Sequence, residues 1–305
     1  MSEHQQTPST GNKKSEWYDK YYKIFFFIPV LLTLLSLVYL GFFFSQHNDF
    51  MLKDASLSGG TTITINGDID TLKLESELKP EVPDVTIRKL TDLRSGKAIA
   101  VIVESSINIS ELKPKVEGVL GYELTTGLNG NSSIESTGAT LSNNFYKQLI
   151  FALIISFILM SLVIFIMFRT FIPSLAVIFA AFSDIVMPLA LINILGIRLS
   201  AAGIAAFLML IGYSVDTDIL LTTRALKKRD GTLNTRIFGA FKTGILMTLT
   251  ALAAVLPAFF VITGLPESFR QIFLILALGL SADIFNTWLT NASIIKWYCE
   301  KKGIQ

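Results

Sequence analysis

The chain has 305 residues, of which 51% are hydrophobic and only 16% charged, with 23 Phe against 2 His. Soluble chains carry roughly 25% charged residues. With a mean hydropathy of +0.55 and a net charge of only +2, and with apolar residues gathered into blocks of about 20, the composition excludes an ordinary soluble protein and points to a polytopic membrane protein. The single cysteine, Cys299, excludes an intrachain disulfide and a cysteine-cluster metal site. His4 and His47 lie outside every apolar block, which removes a histidine relay or histidine metal site within the membrane. No GxxxxGKS/T, HExxH or GxSxG motif occurs. The sequence therefore predicts a protein that is not an enzyme, hydrolyses no ATP, and carries no cofactor and no metal.

In chain order, residues 1–23 form a polar tail that ends in Lys13, Lys14, Trp17, Tyr18, Lys20, Tyr21, Tyr22 and Lys23, the ammonium and aromatic pattern of a cytoplasmic membrane interface. The first apolar block, 24–44, is too long for a signal-peptide core and no small-residue cleavage site follows it. Five further blocks follow at 149–168, 171–195, 200–222, 243–263 and 272–295, giving six expected transmembrane helices. The short flanks set the orientation. With a cytoplasmic N-terminus, the inside segments hold Lys13, Lys14, Lys20, Lys23, Arg169, Arg224, Lys227, Lys228, Arg229, Arg236, Lys242, Lys296, Lys301 and Lys302, whereas the outside short loops hold only Arg198 and Arg270. Both termini are therefore expected in the cytoplasm, with 297–305 as the C-terminal tail.

Residues 45–148, between the first two spans, are expected to form an extracytoplasmic α+β domain. The pattern gives a strand at 61–65, a helix at 70–79, a strand at 84–91, a turn at Leu93-Arg94-Ser95-Gly96, a strand at 97–104, a helix at 110–120 and a strand at 121–127. This β-α-β-β-α-β order is the ferredoxin-like split βαβ arrangement. A strand-free linker, 127–144, is expected to return to the membrane. The sequons at Asn108 and Asn131 fall in this domain; chance matches to that motif are common.

Ionisable groups are costly in a bilayer, so they pair, neutralise or line a wet path. Four aspartates fall in the expected spans: Asp184 in the third, Asp216 and Asp218 in the fourth, and Asp283 in the sixth. Residues two apart on a helix point about 200° apart, so Asp216 and Asp218 cannot share a face. One is expected to look into the bundle and the other toward the interface and Arg224. Lys242, at the start of the fifth span, either snorkels or approaches the carboxylates of span four and changes their proton affinity. Asp283 has a plain alternative in hydrogen bonds to Asn286 or Asn291. Gly203, Ala205, Ala206, Gly212 and Ser214 suit close helix packing.

One span, an external domain and five more spans is a layout that resembles one half of an RND-superfamily transporter, and within that superfamily the SecD/SecF family, specifically its SecF branch. Ser58-Gly59-Gly60-Thr61 is similar to the family's TGGT element, and Ser136-Thr137-Gly138-Ala139-Thr140-Leu141 to its VGP-type element. Ser183-Asp184-Ile185-Val186 resembles its HDV element, and Gly212-Tyr213-Ser214-Val215-Asp216-Thr217-Asp218 its GYS signature. The chain has Asp216-Thr217 where the common bacterial form has Asn-Asp, a further acid at Asp218, and Lys242-Thr243 where that form has Arg-Thr; the DTDIL form resembles archaeal members. The resemblance implies a subunit that works with SecD at a SecYEG-type translocon. There it would promote movement of an unfolded secretory polypeptide across the cytoplasmic membrane with the proton-motive force. The implied proton-coupling candidates are Asp184, Asp216, Asp218, Lys242 and Asp283, and the motif residues are Gly212, Tyr213, Ser214, Thr217, Thr243, Gly59 and Gly60. The competing readings are a homodimeric RND-type exporter of small molecules or lipids, and a scaffold whose aspartates only hold helices together.

Overall fold

The computed structural model describes residues 13–91, 97–127, 130–227, 231–261 and 267–304. The turn expected at Leu93-Arg94-Ser95-Gly96 and the basic residues Lys228 and Arg229 lie outside them. Helix α1 (Lys13–His47) runs through the first apolar block to the α+β domain. After the short α2 (Ala55–Ser58) the domain continues as β1 (Gly60–Asn66), α3 (Thr71–Leu78), β2 (Thr86–Thr91), β3 (Ala98–Ser105), α4 (Ile109–Leu120) and β4 (Ser132–Thr137). The chain then re-enters the bundle through α5 (Ala139–Phe168), α6 (Phe171–Ile194), α7 (Ala201–Lys227) and α8 (Leu233–Val261). The last span is composite: α9 (Glu267–Phe285), a π-helical segment (Asn286–Asn291) and α10 (Ala292–Lys302). Among the described residues, six helices are thus long and apolar enough to cross a membrane.

The helices overrun the apolar blocks because hydropathy marks only the lipid-facing length. The helix expected from 243 begins at Leu233, and its first turns are amphipathic. Leu233, Ile237 and Ala240 are buried against Leu221, Ala225 and Ile295, while Lys242 is exposed. Burial divides the six spans into two classes. In α6, α7 and the last span 56% of the most apolar stretch is buried, against 17%, 6% and 17% in α1, α5 and α8. The first three form the centre and the others sheath it. Close approach at the centre requires small residues: a Cβ added at Gly279 of α9 would overlap the Leu210 side chain of α7.

In the α+β domain the sheet order is β2-β3-β1-β4, with every neighbouring pair antiparallel. The element order and the strand directions are those of a split βαβ arrangement. Ile63 and Ile65 of β1 and Val101 and Val103 of β3 alternate inward, where Leu74, Leu78, Leu112 and Val116 cover them. Asp70 caps α3 by accepting from the Leu72 and Lys73 amides, and Gly121 ends α4 in the left-handed region. One expectation needs correction. No strand forms at 121–127; the fourth strand is Ser132–Thr137, inside the stretch read as a strand-free linker. Its Ser/Thr-rich sequence has one large apolar residue, Ile134, opposite Ile63. As an edge strand it takes its pairing from the β1 backbone and needs little hydrophobic signal of its own.

Gly59 and Gly60 make the connection from α2 to β1 possible. Both have positive φ, 86° and 127°, and a Cβ on Gly60 would overlap the Ser105 carbonyl oxygen. The domain is seated on the bundle by the loop between α6 and α7. The Leu199 amide donates to the Leu52 carbonyl at 2.6 Å, and the Asp54 amide to the Leu199 carbonyl at 3.0 Å. Arg198 donates to Thr86 at 2.7 Å and lies 3.4 Å from Glu104. Ser268 of α9 donates to Glu135 of β4 at 2.7 Å.

Candidate functional site: a buried three-carboxylate centre

Asp184 of α6, Asp218 of α7 and Asp283 of α9 come from three of the most buried helical stretches in the molecule, and all three are fully buried. One oxygen of each lies within 4.8 Å of the others. Among the described residues no Lys or Arg forms an ion pair with any of them; the ion pairs lie in the α+β domain and its junction with the bundle.

The groups that reach the carboxylates are neutral. Ser214 donates to Asp184, as does Asn286 through Nδ2 at 2.7 Å. Asp283 is approached by Thr217 at 3.0 Å and Thr248 at 3.3 Å. Thr287 lies 2.9 Å from an oxygen of Asp218 and 2.9 Å from one of Asp283, and Asn291 donates to Asp218 at 2.7 Å. A hydroxyl carries one hydrogen. Thr287 therefore cannot donate to both acids, and Thr217, also 2.9 Å from the Ser214 carbonyl, is oversubscribed in the same way. The centre has more acceptor oxygens than hydrogens to serve them. A positive charge shared among the acids, whether protons or a cation, balances it.

The sequence candidates separate into two groups. Asp184, Asp218, Asp283, Ser214 and Thr217 converge. Asp216 does not: two residues before Asp218, it is exposed on the opposite face of α7, with Gly212 and Tyr213. Lys242 does not approach the carboxylates either; it is exposed and lies 5.0 Å from the Phe238 ring centre. Arg224 meets neither acid and donates to the Gly239 carbonyl at 2.6 Å, tying α7 to α8. Thr243 bonds back to the same carbonyl at 3.2 Å. Gly203 and Ala206 are buried packing residues, Ser214 hydrogen-bonds Asp184 instead of only packing, and Gly212 has open space around it. Asn286 and Asn291 bond Asp184 and Asp218, not Asp283.

Sequence reasoning did not single out Thr248 and Thr287 and ranked the asparagines as a bland alternative. The signal was present: Asn286, Thr287, Thr290 and Asn291 place four polar residues in six positions of an apolar span. This is also the π-helical segment, whose wider turn departs from regular packing and is frequent at functional sites. Two buried bases are likewise outside the expectation. Lys296 donates to Asn234 at 2.9 Å and lies over the Tyr22 ring, and Arg236 is also buried.

The family described as Protein export membrane protein SecD/SecF, C-terminal, matches residues 123–301. A protein-export membrane protein SecF of Methanocaldococcus jannaschii is 36% identical over 285 residues, 92% of this chain and 96% of that protein. The SecF of Methanothermobacter thermautotrophicus is 36% identical over 289 residues, 93% and 95% respectively. The crystal structure of SecDF, a translocon-associated membrane protein from Thermus thermophilus, superposes with a TM-score of 0.70 at 17% identity, covering 92% of this chain and 38% of that one. The fold is thus that of well under half of a SecDF chain. By both family and relatives, the chain belongs to the SecF family of protein-export membrane proteins.

Proposed function

We propose that this chain works with a SecD partner to promote export of secretory polypeptides through a SecYEG-type channel, and that Asp184, Asp218 and Asp283 carry the coupling charge. One observation carries the reading: three fully buried carboxylates meet at the core of the spans with only neutral donors around them. A scaffold would pair such acids with bases or dispense with them, because uncompensated charge in lipid costs several kcal/mol on the order-of-magnitude scale. Acids that exchange a compensating proton are suited to load and release it as the bundle rearranges, so the proton-motive force supplies the energy and no nucleotide chemistry is required.

The second group of candidates belongs to the partner contact. Gly212, Tyr213 and Asp216 form an open face of α7, and a small residue beside a carboxylate on the outside of a bundle suits a closely packed neighbouring helix. The SecDF chain in which the likeness was found is more than twice as long as the part matched, which supports a second bundle as the occupant. The α+β domain then lies outside the cytoplasmic membrane, with both termini in the cytoplasm, in agreement with the basic flanks. The domain is placed to meet the emerging chain.

The test is gradient-dependent translocation of a secretory substrate into vesicles that carry the complex. Asp184→Asn and Asp218→Asn should each reduce it at least tenfold while SecD still co-purifies. Unchanged translocation with an intact complex removes the coupling role. Recovery of a homodimer without SecD favours the small-molecule exporter.

A further inference from the structure

The tripeptide pattern Asn-X-Ser/Thr, the acceptor of N-linked glycans, occurs three times in the chain, at Asn108, Asn131 and Asn291. Chance produces such matches, and the fold separates these three. Asn291 is buried within the last span, out of reach of a modifying enzyme. Asn131 is tied into the turn before β4. Its Nδ2 donates to the Glu123 carbonyl at 2.9 Å, and its Oδ1 accepts from the Thr125 amide at 2.8 Å. The hydroxyl residue of that motif, Ser133, already lies in β4, paired with Thr64 of β1. Asn131 thus has a structural role, and its nitrogen is committed to it.

Asn108 differs on each count. Asn108, Ile109 and Ser110 are all exposed. Asparagine is a favoured N-cap, and capping α4 would be the plain reason for Asn108. Its side chain makes no capping bond, although Asp54 and Asp70 do cap α2 and α3. The local backbone is also lightly held. The first amides of a helix have no acceptor behind them, and the first to reach back are those of Glu111 and Leu112, both to the Asn108 carbonyl at 3.0 Å. Drawing 108–110 into an extended strand for a transferase displaces those two bonds and no buried side chain of the motif. The placement also suits a bulky group. Ile63, Ile65, Val101 and Val103 face α3 and α4. Glu104 and Glu135, on the opposite face by strand alternation, reach Arg198 and Ser268 of the bundle. Helix α4 therefore lies on the side of the sheet away from the spans, where a glycan meets water and not lipid.

We propose that Asn108 is the N-glycosylation site of this chain, with Ser110 as the hydroxyl that completes the motif, and that Asn131 and Asn291 stay unmodified. The proposal goes beyond the export reading and rests only on the outward placement of the α+β domain proposed above. The donor is a lipid-phosphate-linked oligosaccharide. Nδ2 of Asn108 bonds to the anomeric carbon of its first sugar, the bond from that carbon to the phosphate oxygen breaks, and the lipid phosphate leaves with the electron pair. One amide hydrogen departs as a proton, so nothing is oxidised or reduced.

The test takes the tagged full-length chain from the membranes of its natural host and reads its proteolytic peptides by mass spectrometry. The Asn108 peptide should carry an increment of whole sugar residues, and the Asn131 and Asn291 peptides none. Asn108→Gln and Ser110→Ala should each abolish the increment, Ser110→Thr should keep it, and Asn131→Gln should leave it unchanged. Ser76→Cys, at an exposed position of α3, checks the placement separately. Cys299 is buried, so labelling of this variant on intact cells by a membrane-impermeant maleimide reports an outward domain. Labelling together with an unmodified Asn108 peptide overturns the site and keeps the placement. Labelling only after lysis, with an unmodified Asn108 peptide, overturns both. Sugar on Asn131 in place of Asn108 overturns the selection of the site by the fold.

Discussion

At the centre of the α+β domain Ile63, Ile65, Val101 and Val103 meet Leu74, Leu112 and Val116. At the centre of the membrane bundle the side chains that meet are Asp184, Asp218, Asp283, Asn286 and Asn291. The outer surfaces are reversed as well. The domain shows Lys79, Glu75, Lys89 and Asp68 outward, while α1 and α5 show Leu31, Val38, Phe151 and Val163. The difference follows from the two solvents. In water, removing apolar surface is the main driving force. In lipid that force is absent, and polar groups hide from the hydrocarbon by turning inward. One chain thus carries a core that exists for stability and a second that stability alone does not explain.

The largest expected effect comes from exchanging the rules. Ile63→Asp places an unpaired charge in the apolar core and should cost more than about 4 kcal/mol, enough to lose the domain. Asp184→Asn in the bundle should change stability by no more than about 2 kcal/mol, since Ser214 and Asn286 keep a hydrogen-bonding partner. Limited proteolysis of the domain and thermal unfolding of the bundle measure the two. Equal destabilisation by both would mean that the buried acids are structural, and the contrast would collapse.

Next in size is a backbone effect confined to the domain. Gly60 combines a φ of 127° with the overlap that a Cβ would make on Ser105. Gly60→Ala should cost about 3 kcal/mol in domain unfolding. The matching change in the bundle, Gly212→Ala, faces open space and should leave unfolding unchanged while weakening SecD retention. Loss of stability in Gly212→Ala would show that the face is already packed within the chain.

These contrasts also explain what was legible in the sequence. The six spans and their division around residues 45–148 show directly, because apolar blocks and basic flanks are local properties. β1 and β3 show through period-2 alternation. β4 does not, because its single Ile134 is placed by pairing with Ile63, a contact between residues 71 positions apart in the chain numbering. In the centre, single charges in apolar blocks marked Asp184, Asp218 and Asp283. Helical spacing also required Asp216 and Asp218 to part, but it could not say which turns inward. That depends on which face of α7 meets α6 and α9. The roles of Asn286 and Asn291 depend on a π-helical turn, for which the polar run is at best a retrospective signal.

A smaller effect tests the seam between the two cores. Glu104 is buried in β3 and holds Arg88 at 2.6 Å and Arg198, from the α6–α7 loop, at 3.4 Å. Arg198→Ala removes one of the two cations and the bond to Thr86, and should cost about 1–2 kcal/mol. Because Arg198 belongs to the bundle and Glu104 to the domain, hydrogen exchange should quicken in β2, β3 and residues 52–57 while the domain core stays protected. Uniform loss of protection would instead place Arg198 in the domain's own folding unit.

The smallest effect is a pH dependence at the same seam. Asp54 caps α2 and is 5% exposed. Burial, with further repulsion from Glu104 and Glu135, pushes its carboxyl up from 3.8 to about 7. The folded chain therefore keeps this proton through a range in which the unfolded chain has already released it. The proton's contribution to stability is complete below about 4 and is lost as pH rises through about 7. Between pH 6 and 7 the decline should be about 1 kcal/mol, seen as faster hydrogen exchange around Ala55–Ser58. Asp54→Asn keeps a capping oxygen for the Ser56 amide and removes the titration, so its exchange should be flat over the same range apart from the intrinsic chemical rate. A slope that survives in Asp54→Asn would assign the dependence to another group at the seam.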